Sequence, residues 1–379
     1  MVKRFFPEIL LFFAALLLLG GMLNGHAIWT QEYRWQQIVL HMLSSKDYWH
    51  PYLDGRPYYD KPLMTYWFIV ALAKLNYGVL TKTLLRLPSV FAGLITLACT
   101  YFLGKNFGDR KVALLATWFL LTTFYFVFFA RTASADMWNV ASVLLCLVWF
   151  FYAGLSVKRV FWRDLIFFLL LAFSALLKGL IGPVLVFLVL IPTLWRNQLW
   201  QRFFNFKSIA ALMVAIGFYL LPFFISSATS TNYQENGLVE VFRENVLRFF
   251  EPFDHEGPWW TYFAYLPAYC APWILLSLVF LMKRRKPSSE NKNFLYGEGS
   301  FCWAVLSIFI FLSLSGSRRS YYILPAVPFV MLWFAQLWQQ KFMGSVKANY
   351  VLAWFVGLFY LILCVNFLII QPWYYLHHG

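Results

Sequence analysis

Long apolar runs broken by short charged stretches recur from one end of this chain to the other. Runs of this length must satisfy their backbone polar groups internally if they lie in lipid, so each reads as a transmembrane helix. The pattern places spans near 7–29, 84–104, 112–130, 137–155, 162–178, 180–195, 208–226, 262–282, 300–314, 321–339 and 349–370. Two segments break the rhythm. Residues 31–44 carry one polar and one apolar face, and residues 63–78 are short, aromatic and interrupted by Lys74. Both read as helices lying in the outer interface rather than crossing it. The expected architecture is an all-α polytopic membrane protein with about eleven spans and two interfacial helices in its first outer loop, 30–83. A second outer loop covers 227–261, and 287–299 reads as a plain connector.

Composition agrees, with 61% hydrophobic and 12% charged residues, which excludes a soluble globular domain. The net charge of +15 would suit nucleic acid if it were spread evenly. Instead Lys3/Arg4, Lys105/Arg110/Lys111, Lys158/Arg159/Arg163, Arg196/Arg202/Lys207, Lys283 to Lys286 and Lys341/Lys347 fall on one set of connections. That asymmetry is the orienting signal of a cytoplasmic face. It puts the N-terminus inside, and no nucleic-acid partner is expected. The first run lacks a small-residue cleavage site before Trp29 and reads as a retained anchor. Cys99, Cys146, Cys270, Cys302 and Cys364 lie in apolar runs without paired spacing, and the six histidines form no ligand motif. No metal site and no cofactor is expected from these residues, and whether a divalent ion assists stays open.

The remaining polar groups gather on the outer face: Glu32, Asp60, Lys61, Asp136, Lys178, Arg248, Arg318 and Arg319. Ionisable groups at a membrane boundary are candidate functional groups. Several cations there suit a lipid-linked phosphate, and carboxylates suit a sugar or an amine. Breaking an anomeric C–O bond of a polyprenyl-phosphate sugar develops charge on the phosphate, which fixed cations stabilise. Singly, each group has a plainer reading. Asp60-Lys61 can be an interfacial ion pair, Asp136 a first-turn carboxylate, Lys178-Gly179 a helix end and Arg318-Arg319 an outer anchor. Their coincidence on one face favours function.

The order of motifs resembles the ArnT-like branch of the GT-C glycosyltransferases, the lipid A aminoarabinose transferases and their protein O-mannosyltransferase relatives. That family reads D-E-x-R-Y-A-E, M-L-x-S-x-D-W and G-x-x-Y-F-E-K-P. This chain has Gln31-Glu32-Tyr33-Arg34-Trp35, then Met42-Leu43-Ser44-Ser45-Lys46-Asp47-Tyr48-Trp49, then Gly55 to Pro62. Asp136, Lys178-Gly179 and Glu244 to Phe249 follow in order. The motif S-x-x-K-L-P-T-Y-I-L-P corresponds to Ser315 through Pro325.

The resemblance implies a single GT-C-like membrane domain over 1–379, without a separate C-terminal soluble domain. It also implies an inverting transferase using a polyprenyl-phosphate sugar at the periplasmic face of a bacterial inner membrane. Its partners would be membrane lipids, the sugar carrier and an envelope acceptor such as lipid A, with the chain a monomer. Lys61, Tyr58, Arg248 and Tyr322 match the residues around the carrier phosphate, with Lys178, Arg318 and Arg319 as further cations. Asp136 and Asp60 match sugar-holding or catalytic acids. Position 31 is Gln where the family has Asp, and Glu32 is the candidate replacement acid. A phosphate acceptor is already ionised and needs no general base, so Gln31 favours one. Transfer to a hydroxyl of protein, lipid or polysaccharide, and a non-catalytic sugar-lipid binder or transporter, stay open as alternatives.

Overall fold

The computed structural model describes residues 2–25, 27–153, 160–229, 237–243, 257–275 and 298–342, with single positions at 247, 250 and 277 and between 350 and 365. The described residues are helical almost throughout. In order it forms α1 (Val2–Gly20), α2 (Thr30–Ser45), a hairpin of β1 (Tyr52–Leu53) and β2 (Arg56–Pro57), α3 (Met64–Leu75), α4 (Lys82–Phe107), α5 (Arg110–Leu121) and α6 (Phe124–Ala130). Then come α7 (Asp136–Tyr152), α8 (Phe161–Lys178), α9 (Ile181–Arg196), α10 (Trp200–Phe203), α11 (Phe206–Thr229) and α12 (Gly237–Phe242). The described part closes with α13 (Thr261–Tyr269), a 3-10 turn at Trp273–Leu275, α14 (Glu298–Leu314), a 3-10 segment Ser320–Ala326 and α15 (Val327–Phe342).

Helix ends follow local chemistry. Thr81 caps α4, its hydroxyl accepting from Leu84 N–H, and Asp109 caps α5 by accepting from Lys111 and Val112 N–H. The predicted span 112–130 is not one rod: α5 and α6 meet at 71°. Thr122 and Thr123 sit at the break, and their hydroxyls donate back to the carbonyls of Trp118 and Phe119 at 2.7 and 2.8 Å. Such back-bonding competes with the helical ladder and bends it. Thr122 Oγ1 also accepts from Trp273 Nε1 at 2.9 Å, which fixes the corner.

Among the described residues three helices are long and apolar enough to cross a membrane, Lys82–Phe107, Phe206–Thr229 and Ser320–Phe342, and the bent α5–α6 pair makes up to four. Shorter apolar helices include Phe5–Gly20, Met64–Leu75, Asp136–Tyr152, Ile181–Arg196 and Ser300–Leu314. The described helices therefore do not by themselves fix a count of eleven spans. Most of the expected span 349–370 lies outside the described residues. The outer face of α11 leaves Phe206, Met213, Leu221 and Phe224 more than half exposed, as a lipid-facing helix does.

Two apolar cores organise the molecule. The larger joins α1, α4 to α9, α14 and α15; α8 packs on α11 and α7, while α4 lies between α5 and α7. The smaller is built by the first outer loop, where Trp35, Ile38, Val39 and Met42 of α2 meet Tyr66, Ile69 and Val70 of α3. At 12 residues α3 is about 18 Å long, too short to cross a hydrocarbon core of about 30 Å. Tyr59, Leu63, Leu85, Ala133, Ala135, Leu176 and Phe223 complete this core, so the loop is seated on the ends of α4, α6, α8 and α11. The site forms at that seam.

Candidate functional site

The charged segment 55–62 starts in the β-hairpin. Asp54 and Gly55 at its tip have φ of 51° and 78°, the paired left-handed conformation of a tight Asp-Gly hairpin turn. Tyr52 stands opposite Pro57 and Leu53 opposite Arg56. Beyond the hairpin the chain turns Tyr58, Asp60 and Lys61 into a cavity of about 330 Å³. From α2 the cavity receives Gln31, Arg34 and Trp35, one helical face at i, i+3 and i+4. The α6–α7 turn supplies Ser134 and the start of α7 Asp136, α8 ends in Lys178, and Tyr321 and Tyr322 come from the 3-10 segment, with Arg319 at its N-cap. Gly179 stops α8 directly after Lys178 with φ of 105°, a conformation that favours glycine.

The polar groups make two clusters. In the first, Asp60 Oδ2 accepts from Arg34 Nη1 at 3.0 Å, from the Tyr58 hydroxyl at 2.9 Å and from Lys61 Nζ at 3.3 Å. Asp60 Oδ1 is buried and meets no donor among the described residues. Burial pushes the Asp60 carboxyl up, but Lys61 and Arg34 outweigh it and hold the group below the usual carboxylate range. Arg34 is correspondingly held charged, Asp60 outweighing the desolvation of its guanidinium.

In the second cluster Lys178 Nζ donates to Asp136 Oδ1 and stands 5.1 Å from the Tyr322 ring and 5.7 Å from the Tyr321 ring. Arg319 Nη1 donates to the Tyr321 hydroxyl at 2.7 Å. Glu240 of α12 and Arg243 just beyond it close one side, paired at 3.6 Å.

Thus Lys61, Tyr58, Tyr322, Lys178, Arg319, Asp60 and Asp136 share one cavity. Two expected residues do not join them. Glu32, the candidate replacement acid, is 1% exposed and points the other way. Its carboxylate accepts from Arg86 Nε and Nη2 at 2.8 and 2.6 Å, and from the backbone N–H groups of Ala133 and Trp29 at 2.9 and 3.1 Å. Burial alone would raise that carboxyl; Arg86 and the two N–H groups bring it below its ordinary value. Every lone-pair direction is in use, so Glu32 is a structural anchor and does not stand in for the acid missing at Gln31. Arg318 likewise turns away and donates to the carbonyls of Gly257 and Ser313. Arg248 lies outside the described residues. Arg34, Glu240 and Arg243 were not expected from sequence. The signal for Arg34 was its spacing from Gln31; nothing in the sequence singled out the Glu240–Arg243 pair.

Among solved structures, the chain superposes on ArnT from Cupriavidus metallidurans bound to undecaprenyl phosphate with a TM-score of 0.72 at 19% identity, covering 88% of this chain and 60% of that one. The archaeal oligosaccharyltransferase AglB from Archaeoglobus fulgidus gives 0.55 at 13% identity over 96% of this chain and 55% of its own. The fold is thus that of a GT-C-type membrane protein. The family model for dolichyl-phosphate-mannose-protein mannosyltransferase matches residues 60–225, which hold Asp60, Lys61, Asp136 and Lys178. Undecaprenyl phosphate-alpha-4-amino-4-deoxy-L-arabinose arabinosyl transferases from Erwinia tasmaniensis and Pseudomonas fluorescens are 26% and 27% identical over 94% and 97% of the chain. Within that fold the sequence is similar to these ArnT-type transferases. It spans 64% and 66% of the length of those two relatives, just under two thirds.

Proposed function

We propose that this membrane protein is an inverting glycosyltransferase that moves a sugar from a polyprenyl-phosphate carrier to a cell-envelope acceptor, with a lipid A phosphate favoured. The observation that carries the reading is the meeting of Lys61, Tyr58, Lys178, Tyr322 and Arg319 with Asp60 and Asp136 in one cavity at the seam between the first outer loop and the helix ends. The names of the arabinosyl transferase relatives and of the undecaprenyl-phosphate complex support the carrier.

In this reading the anomeric C–O bond to the carrier breaks and its electron pair passes to the phosphate oxygen. Lys61 and the Tyr58 hydroxyl stabilise that charge together with Tyr322, and by the family resemblance Arg248 is a further cation for it. The unpartnered Oδ1 of Asp60 accepts from a sugar hydroxyl, and Asp136 faces the electron-poor anomeric carbon. An acceptor phosphate oxygen forms the new bond from the opposite face, inverting the centre. Because it is already ionised it needs no base, in keeping with the amide of Gln31 at the cavity wall. The proposed orientation has the N-terminus cytoplasmic and the cavity periplasmic, in a monomer.

Mass spectrometry of envelope lipids and lipid A tests this, comparing a deletion strain with strains carrying wild-type or Lys61→Ala protein. Loss of one sugar mass from an envelope molecule, accumulation of its carrier-linked form and rescue by wild type alone is the expected result. Unchanged profiles in expressing cells would remove the catalytic reading and leave a sugar-lipid binder.

A further inference from the structure

We propose that Thr65 is a positioning residue: its hydroxyl holds the segment bearing Lys61 and the helix end bearing Lys178 at the spacing that transfer requires, and it acts through Lys178. This rests on the polyprenyl-phosphate reading above and adds to it a residue that does not line the cavity.

Thr65 lies in the first turn of α3, one helical turn beyond Lys61, and is 2% exposed. Its hydroxyl donates to the carbonyl of Leu177, the residue directly before Lys178, at 3.0 Å. Other buried threonines of this chain use the hydroxyl locally. Thr96, Thr100 and Thr117 donate to the carbonyl four residues back in their own helices, at 2.7 to 2.8 Å. Thr65 instead reaches across 112 residues of sequence, from the first outer loop to the end of α8.

The receiving carbonyl needs such a donor. The last four carbonyls of an α-helix have no partner inside it. α8 ends at Lys178, and the N–H of Gly179 turns back to the carbonyl of Ala175 at 2.8 Å, not to that of Leu177. Leu177 is 0% exposed, so water does not reach its carbonyl, and the Thr65 hydroxyl satisfies it.

Apolar contact also joins these elements. The ring of Phe68 in α3 lies 4.8 Å from that of Trp138 and 6.3 Å from that of Phe173. Such contact holds helices together but is non-directional, so it does not set how far one lies along the other. A hydrogen bond is directional and does. On the other side of α8, Ser174 Oγ stands 2.8 Å from Ser142 Oγ of α7, which sets Lys178 against Asp136. The serines thus fix the second polar cluster internally, and Thr65 fixes it against the first. Lys61 and Tyr58 stand on Thr65's own side of the seam, so their grip on the carrier phosphate does not depend on the bond.

The test uses the full chain in lipid nanodiscs. Binding is measured with undecaprenyl phosphate. Transfer is read as release of undecaprenyl phosphate from the total lipid extract of the deletion strain, which holds the accumulated donor and its unmodified acceptor. Wild type and Thr65→Val form one pair differing by the hydroxyl; Thr65→Ser and Thr65→Ala form another. Thr65→Val should lower the rate at saturating extract by roughly ten- to a hundredfold, the scale of a displacement of about 1 Å. Undecaprenyl phosphate affinity and the extract concentration for half-maximal rate should stay within about twofold. Thr65→Ser should keep at least about half of wild-type transfer, and Thr65→Ala should fall with Thr65→Val. A packing role gives the reverse order, because valine keeps the volume and serine does not. In a Lys178→Gln background, Thr65→Val should cost less than about threefold more.

The proposal is overturned if valine matches wild type, if serine falls below valine, or if Thr65→Val costs the same with and without Lys178. Parallel loss of undecaprenyl phosphate binding in Thr65→Val would also overturn it. Should the valine variant not fold, the serine–alanine pair reads the same difference. Wild type that neither binds undecaprenyl phosphate nor releases it from the extract would instead refute the underlying reading, and the proposal with it.

Discussion

Replacing Glu32 with glutamine separates an anchor from a catalyst. Glu32 and Arg86 are 1% and 4% exposed, and the carboxylate accepts four N–H donors, two of them from the guanidinium. Arg86 also donates to the carbonyls of Leu23 and Ala27, so the pair ties the α1–α2 connection, α2, α4 and the α6–α7 turn together. Glutamine keeps the volume but leaves the guanidinium without its counter-charge and turns an amide NH2 toward other donors. Breaking a buried pair by removing one partner costs about 3–5 kcal/mol. Unfolding of the detergent-solubilised protein should show a loss of that order, and the double variant Glu32→Gln/Arg86→Met should recover part of it.

The pH dependence has a definite sign. Glu32's folded pKa is lowered from 4.5, so its stabilisation is present above that value and lost as pH falls through the folded one. The gap between wild type and Glu32→Gln should be constant from neutrality to about pH 5 and narrow only below about 4.5. Transfer per folded molecule should change little. A variant of unaltered stability that has lost transfer would refute the anchoring argument and return Glu32 to the reaction.

Three further outcomes follow from the geometry. Gln31→Asp should leave transfer to phosphate acceptors within about twofold; losing that while keeping transfer to hydroxyl acceptors would count against a phosphate acceptor. Asp60→Asn should slow transfer by at least about tenfold without weakening undecaprenyl phosphate binding, because it removes a sugar acceptor and frees Arg34 and Lys61; parallel loss of both would show that the carboxylate only orders the cations. A Cβ at Gly182 would press on Ser174 Oγ, which is hydrogen-bonded to Ser142 across α7 and α8. Gly182→Ala should therefore destabilise the bundle by about 1–3 kcal/mol, measured by thermal unfolding, and Ser174→Ala should relieve part of it.

Much of the helical plan was written in the hydropathy pattern. Apolar runs set the positions of α4, α7, α8, α9 and α11, and a polar face on 31–44 with the short aromatic run after Pro62 marked α2 and α3. Side-chain hydrogen bonding was not legible there. Thr122 and Thr123 sit in an apolar run and bend it, and hydropathy does not distinguish a threonine that breaks a ladder from one that sits in it. The hairpin strands are two residues each, too short for a period, although Asp54-Gly55 announced the turn. Glu32 was misread because its partner Arg86 lies 54 residues away, while helical spacing already put Gln31 and Arg34 on a face that Glu32 does not share. Arg318 and Arg319 are indistinguishable in sequence; only the carbonyls of Ser313 and Gly257 separate them.

The ion pairs at the cavity wall also bear on how an anion enters. Arg34, Lys61 and Lys178 do not wait bare or with chloride; each is already matched by a carboxylate of the chain. An arriving phosphate therefore exchanges with tethered counter-ions, which cannot diffuse away and return once it leaves. Mobile salt competes poorly with such built-in partners, and buried pairs are screened less than exposed ones. The cavity acts as an ion exchanger that carries its own counter-ions, poised to release its product phosphate by taking its own carboxylates back.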